Sequence, residues 1–418
     1  MKLKFKLTLM SFLQFFVWGA WLITVGVYWF QNKHWSGSEF GIIFSTMGIA
    51  SLFMPTIAGI IADRWINAEK LYGVLHILYG ATMLYLTTIS NPTDFFWVIL
   101  IAMIFYMPTI ALSNSISYSI LKNNNFDVVK DFPPIRVWGT IGFIVAMWVT
   151  NLTGNKSSEN QFYIAGVVAI VLGLYAFTLP KCPPEGKKSE NQTLSEMFGL
   201  DAFSLFKNYK MALFFIFSMF LGAALQLTNA FGDTFLSDFE KIPKYADSFV
   251  TKYSTIVMSI SQISETLFIL SIPFFLKRFG IKKVMLMSMI AWVLRFGFFA
   301  YGAPVGLGLM LILLSNIVYG MAFDFFNISG SLFVETSTSP KIRSSAQGLF
   351  MMMTNGIGAI LGSVVSGYLI DAFFTTSTGK DWHGIWLTFA VYALVVAVLF
   401  AVLFKHKHDP NQVAEIVH

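Results

Sequence analysis

Charge is scarce in this sequence. Only 12% of its 418 residues are Asp, Glu, Lys or Arg, about half the roughly 25% usual in soluble proteins. So little charge cannot cover a water-facing surface of this size, which excludes a cytosolic enzyme, a nucleic-acid reader and a disordered chain. Cysteine is almost missing. The single Cys182 rules out an internal disulfide, and within Lys181-Cys182-Pro183-Pro184 it reads as a lone linker thiol. Also absent are the G-x-x-x-x-G-K-[ST] phosphate loop, the H-E-x-x-H zinc motif and the G-x-S-x-G nucleophile elbow. Without them, ATP-driven pumping and hydrolase chemistry have no support, and the chain is expected to be no enzyme and to need no cofactor or metal. The short alternating strands of a β-barrel are missing as well.

What is abundant is apolar. Hydrophobic residues make up 56% of the chain and mean hydropathy is +0.67, so the solvent must be lipid. The net charge of +6 then points to anionic headgroups rather than to nucleic acid. Crossing a bilayer takes about 20 apolar residues, in a helix that satisfies its own backbone. Runs of that kind lie near 7–30, 40–62, 71–90, 95–121, 134–151, 162–180, 211–236, 252–276, 283–302, 306–334, 343–373 and 384–404. The first follows Lys2, Lys4 and Lys6 like a signal peptide, but it is too long for one and lacks a small-residue cleavage site, so it reads as a retained span.

With the N-terminus inside, 20 of the 28 Lys and Arg fall in cytoplasmic segments and 6 outside, leaving Arg136 and Arg295 within spans. That bias places both termini in the cytoplasm. The halves echo one another: Gln14 and Gln226 are 212 apart, Tyr106 and Tyr319 213, Asn114 and Asn327 213, and Arg64 and Arg278 214. A near-constant offset indicates duplication, as in transporters built from repeats. The expectation is an all-α membrane protein with twelve transmembrane helices in two pseudo-symmetric six-helix bundles: residues 1–180, a cytoplasmic linker 181–210, a second bundle 211–405 and a cytoplasmic tail 406–418.

Polar residues inside these runs are the candidate site. Glu265 lies 12 residues from Tyr253 and 12 from Lys277, about 18 Å from either surface, too deep for a carboxylate to snorkel. Its readings are a proton or substrate group and an interhelical hydrogen bond, and the first is favoured. Asp324, among Phe323, Phe325 and Phe326, is a second proton candidate or an ion-pair partner. Gln262 lies one turn before Glu265, and Tyr319 shares a face with Phe323, a pattern that packing alone also explains. Arg136 begins a span after Pro133-Pro134 and either snorkels or lines a cavity with Thr140 and Phe143 on its face. Gln226 and Asn229 carry amides that suit hydroxyls and base edges, or polar helix packing. Arg295 is nearer a membrane face and reads as snorkelling, and His76 as interfacial. The glycines 356, 358, 362 and 367 allow close helix approach.

Several segments are similar to known ones. Gly59-x-x-x-Asp63-Arg64 and Lys277-Arg278-Phe279-Gly280-Ile281-Lys282-Lys283 resemble the two loop motifs of the major facilitator superfamily, the first copy lacking the trailing Gly and basic pair. Asp131-Phe-Pro-Pro-Ile-Arg-Val-Trp-Gly-Thr-Ile-Gly-Phe143, Ser259-Ile-Ser-Gln-Ile-Ser-Glu265, Phe323-Asp-Phe-Phe-Asn-Ile-Ser-Gly330 and Ser344-Ser-Ala-Gln-Gly348 resemble the bacterial nucleoside:proton symporters. The resemblance covers nearly the whole chain. It implies proton-coupled nucleoside uptake by a monomer in the cytoplasmic (inner) membrane, with nucleoside, protons and membrane lipid as partners. It also implies that Arg136, Thr140, Phe143, Gln226, Asn229, Gln262, Glu265, Tyr319 and Phe323 contact substrate, and that Glu265 and Asp324 carry the proton. A sugar:proton symporter and a non-transporting membrane sensor are the competing readings.

Overall fold

The computed structural model describes residues 2–184, 200–339, 342–377 and 379–407. The middle of the expected linker (185–199) and the expected tail from 408 onward lie outside the described residues. The chain is helical apart from its loops and a two-residue antiparallel pairing of Thr375–Thr376 with Gly379–Lys380. The helices are α1 (Lys2–Gly19), α2 (Gly37–Arg64), α3 (Ala68–Leu86), α4 (Pro92–Asn123), α5 (Val128–Leu152), α6 (Asn160–Ala176), α7 (Tyr209–Asp238), α8 (Ser254–Ala300), α9 (Gly306–Ser337), α10 (Ser345–Phe374) and α11 (Trp382–Leu403).

Local chemistry sets several of these boundaries. Ser36 and Glu39 form a reciprocal capping box at the start of α2. Asn91, Asn208 and Asp381 accept from the first free backbone N–H groups of α4, α7 and α11. The 47-residue α8 covers two expected spans and is broken at Gly280, whose φ of 76° suits a residue without a Cβ. Lys282 beyond the break donates to the Ala401 carbonyl at 2.9 Å. The first expected span is interrupted too. α1 ends at Gly19, and the chain turns before a short helix, Val25–Val27, and a π turn, Tyr28–Asn32.

Among the described residues, eight helices are long and apolar enough to cross a bilayer: Gly37–Arg64, Pro92–Asn123, Lys130–Leu152, Tyr209–Lys241, Ser254–Ala300, Gly306–Ser337, Ser345–Phe374 and Trp382–Leu403. Asn160–Ala176 is apolar but shorter. On α11 the residues Val391, Leu394, Val395, Val398 and Val402 are all exposed at helical spacing, a stripe that only lipid would solvate favourably.

The chain forms two compact units, Met1–Phe198 and Gly199–His418. In the first, α3 and α6 meet along glycines seven apart. A Cβ on Gly80 would lie 2.6 Å from the Gly166 carbonyl, and one on Gly73 2.8 Å from that of Gly173. α1 packs as closely on α5, where a Cβ on Gly19 would meet the Phe143 carbonyl at 2.5 Å. In the second unit α7 lies against α10, with Gly358 facing the Met219 carbonyl and Gly362 facing Ala223. In lipid, where burial of apolar surface gives helices no reason to associate, such close contact is what holds them together.

Two expectations fail in the first unit. Cys182 is a free thiol as expected, but not an open linker residue: it is buried in the core beside Leu71, Leu172 and Leu179. Its N–H donates to buried Glu69 at 2.8 Å, and Ala68 N–H donates to its carbonyl at 3.0 Å. His76 is not interfacial but fully buried, with Nδ1 3.0 Å from the Tyr72 carbonyl. In each case a neighbouring helix covers what spacing along one helix had left open.

Two predictions follow from this packing. Gly80→Val forces a clash with the α6 backbone and should destabilise the detergent-solubilised protein by about 1–3 kcal/mol. Gly297→Ala, where an added Cβ meets nothing within 4 Å, should be neutral or gain up to about 1 kcal/mol in the same thermal unfolding assay. For Cys182, burial pushes the thiol up to about 11, with nearby Glu69 adding to it. Its alkylation in the folded protein should therefore be slow at neutral pH and rise about tenfold per pH unit below that value. Fast labelling at neutral pH would contradict the buried placement.

Candidate functional site

In the Gly199–His418 unit, the part of α8 before Gly280 carries Ser261, Gln262, Ser264 and Glu265 on little more than one turn. α9 brings Ser315, Asn316, Tyr319, Phe323 and Asp324 against them. Gly320 makes this approach possible, because a Cβ there would lie 2.6 Å from the Ser264 carbonyl and 2.7 Å from Glu265 N. Hydroxyls close the seam: Ser264 donates to the Ile317 carbonyl, and Ser261 to Asn316 Oδ1 at 2.7 Å. Tyr319 lies beside the Gln262 side chain and in the field of Glu265, Arg295 and Asp324. Its ring stacks with Phe323 at 6.5 Å and 12°. Tyr319 is buried, whereas Phe323, Gln262 and Glu265 are half-buried. Asp324 is buried, feels the charge of Glu265, and leaves Oδ2 without a hydrogen-bond partner among the described residues.

α7 carries Gln226 and Asn229. The Gln226 Oε1 is buried with no hydrogen-bond partner among the described residues, while Asn229 is half-buried. An orphaned buried acceptor costs about 1–3 kcal/mol, which a ligand hydroxyl or N–H would recover. Four residues on, fully buried Asp233 accepts from Thr255 Oγ1 at 3.2 Å and ties α7 to α8, a link that sequence reasoning missed.

In the Met1–Phe198 unit, Arg136, Thr140 and Phe143 lie along α5. The Arg136 guanidinium is 4.1 Å from the Phe15 ring centre. Thr140 is half-buried. Phe143 is 8% exposed and meets Trp18 edge-on at 6.3 Å. Nearby, Gln14 is a fully bonded hub: its amide donates to Thr109 Oγ1 at 2.9 Å, its Oε1 accepts from Tyr72 at 2.6 Å, and its backbone carbonyl accepts from Tyr106 at 2.8 Å.

Arg295 overturns its expected place. It is 1% exposed, donates to Ser261 Oγ at 3.2 Å and to the Ser315 carbonyl at 2.8 Å, and lies 4.5 Å from the Tyr319 ring centre. It does not snorkel, because serines on two helices and an aromatic face hold the guanidinium inside. Spacing along the chain carried no signal for this: Arg295 is 12 residues from Lys283 but only five from the end of α8 at Ala300, so it was not marked as deep from both sides as Glu265 was.

Residues 1–409 match the family model described as Nucleoside H+ symporter. The chain belongs to this nucleoside H+ symporter family. It is 54% identical to the xanthosine permease of Escherichia coli over 99% of its length and 98% of that protein. It is 52% identical to the nucleoside permease NupG of the same bacterium, over 98% of this chain and 97% of that one. The crystal structure of the nucleoside transporter NupG superimposes with a TM-score of 0.91, covering 97% of this chain and all of the other. As a member of this symporter family the protein is a transporter, not an enzyme or a sensor, and the sugar reading falls with them.

The orphaned Gln226 oxygen gives a test that separates stability from function. Gln226→Leu should leave the detergent-solubilised protein as stable or about 1 kcal/mol more so, while raising the half-saturation concentration for nucleoside uptake. A loss of stability with unchanged affinity would make Gln226 a packing residue.

Proposed function

We propose that this protein imports nucleosides together with protons across the bacterial cytoplasmic membrane by alternating access, acting as a monomer. The observation that carries the reading is the pair of carboxylates within apolar helices, half-buried Glu265 and buried Asp324, set beside Gln262 and the Tyr319–Phe323 stack. A carboxylate in the hydrocarbon region is costly and is by default functional. One that can take up a proton beside a substrate contact can link the two events. Neutral amides on Gln226, Asn229 and Gln262 suit an uncharged ligand rich in hydroxyls and base edges. The Phe143 and Phe323 rings supply the faces that a base needs and a sugar does not. Arg136 and Thr140 complete the substrate contacts, and Glu265 joins ribose contact to protonation.

Twelve crossing helices fit this role. The break at Gly280 divides α8 into two apolar segments, α6 carries exposed Tyr163, Val167, Val171 and Leu174 on one face, and α1 and α3 complete the set. Residues 1–180 and 211–405 are read as the two bundles, with 181–210 and the tail from 406 cytoplasmic, on the strength of the positive-charge bias.

Uptake of labelled uridine, xanthosine and galactose into vesicles, with and without a proton uncoupler, tests the reading. Accumulation of a nucleoside, abolished by the uncoupler, is expected; galactose uptake would defeat it. Glu265→Gln keeps its hydrogen bonds but cannot carry a proton. Accumulation, worth about tenfold per pH unit for one proton, should fall to equilibration while exchange persists. Phe323→Ala should weaken nucleoside affinity roughly five- to 150-fold, the range of base–aromatic stacking, with little change for free ribose. Phe143→Ala should act in the same direction with an added stability cost, because Phe143 also packs on Trp18.

A further inference from the structure

In the Gly199–His418 unit, α7 and α11 are joined where Tyr392 donates to the Phe220 carbonyl at 2.8 Å and where the Phe217 and Phe400 rings meet at 5.2 Å. Two cavities lie along this seam. One, of about 410 Å³, is at the end where α7 begins and α11 finishes. Lys210 and Lys405 line its polar side, and Leu213, Val402 and Leu403 its apolar side. The other, of about 270 Å³, lies further in, where Phe220 and Ala223 of α7 face Tyr392 of α11, with Val365 of α10 beside them.

The two cavities ask for different chemistry. Lys210 Nζ is fixed 2.6 Å from His406 Nδ1 and 5.2 Å from the Phe333 ring centre. An ammonium only donates, so the imidazole nitrogen accepts and brings no negative charge. Among the described residues neither Lys210 nor Lys405 pairs with a carboxylate. In the inner cavity every lining hydroxyl is already used: Tyr392 on Phe220, Thr388 on the Gly384 carbonyl at 2.8 Å and Ser366 on the Ser363 carbonyl at 3.0 Å. That cavity can take only hydrocarbon, and left empty its walls lose contact energy. A single track links the two. Leu213, Ile216, Phe220 and Ala223 share one face of α7, as Tyr392, Val395, Leu399 and Val402 share one face of α11. Ile216, Val395, Leu399 and Val402 are exposed. Phe220 is ten residues from Lys210 and Tyr392 is 13 from Lys405. Along the helices that is about 15–20 Å, close to the depth of one leaflet.

We propose that the α7–α11 seam is a binding site for one anionic phospholipid, with its phosphate in the cavity lined by Lys210 and Lys405 and an acyl chain running along the track into the inner cavity. The two uncompensated cations select an anionic headgroup over a zwitterionic one, as basic pockets between membrane helices do. The apolar track selects a lipid over a free phosphate. The bound chain fills a seam that the protein leaves open and so stabilises this unit. The site goes beyond the transport reading and does not depend on what the carrier moves.

The test uses the full chain in neutral detergent, with bound lipid counted by native mass spectrometry and stability followed by thermal unfolding. The probes are dioleoyl phosphatidylglycerol, dioleoyl phosphatidylcholine, dihexanoyl phosphatidylglycerol and glycerol 3-phosphate. One copy of dioleoyl phosphatidylglycerol should bind roughly 30-fold more tightly than the phosphatidylcholine, about fivefold for each lysine, and should raise the unfolding temperature. Lys210→Ala/Lys405→Ala should erase that preference. Lys207→Ala/Lys407→Ala removes as much charge outside the cavity and should keep it. Val365→Phe, at an exposed position, should fill the inner cavity and erase the advantage of dioleoyl over dihexanoyl chains while the headgroup preference stays. Equal binding of the two dioleoyl lipids overturns the proposal, and so does an equal loss in both double-lysine variants, which would mean only a generally basic surface. Binding of glycerol 3-phosphate as tight as that of the long-chain lipid overturns it in favour of a free-anion site. A Val365→Phe protein with the full chain-length preference removes the acyl track. Should the Lys210 variant not be recovered folded, Lys405→Ala decides alone, an unchanged headgroup preference overturning the proposal.

Discussion

Lipid offers no hydrogen bonds, so a polar group within these helices must find its partner in the protein or remain unsatisfied. The seam between α8 and α9 is organised by that constraint. Gly320 removes a side chain so that the backbones can approach, Ser261 and Ser264 then reach across, and the room left beside them holds Tyr319, Arg295 and the two carboxylates. Widening the seam by one methyl group would disturb the hydrogen bonds, the ring stack and the charge arrangement together.

The same constraint gives two related glutamines different fates. Gln14 and Gln226 stand 212 residues apart in corresponding helices. Gln14 is satisfied by Thr109, Tyr72 and Tyr106, which makes it part of the frame of its unit. Gln226 keeps an acceptor unfilled. A duplicated scaffold can thus hold one copy of a residue as structure and leave the other available for a ligand, a stability cost of the kind binding sites commonly carry.

A symporter must also move without carrying net charge through lipid in the wrong state. In the proposed function, neutral amides and aromatic faces recognise an uncharged nucleoside at little desolvation cost. On the same proposal, the Glu265 and Asp324 carboxylates give proton uptake and release a place inside one unit. Glycine contacts such as those of Gly358 and Gly362 of α10 against α7 hold helices by close fit rather than by side-chain interlock, which suits elements that must repack.

Composition and spacing alone determined that the chain lives in lipid, that it is helical, and that Glu265 and Asp324 are carboxylates set within long apolar runs. These follow from the thickness of a bilayer and the rise of a helix, both of which are local arithmetic. The membership in a symporter family was legible in its motifs, because those motifs are contiguous. What only the tertiary structure decided was which neighbour covers each side chain. Arg295 and His76 lie where a helix end and a helix core cannot be told apart along one strand of sequence, and Cys182 lies in a segment whose charge suggested solvent. All three are buried because a second helix, or the turn before α3, closes over them. Burial depends on contacts between residues far apart in the chain, and no periodicity within one helix records them.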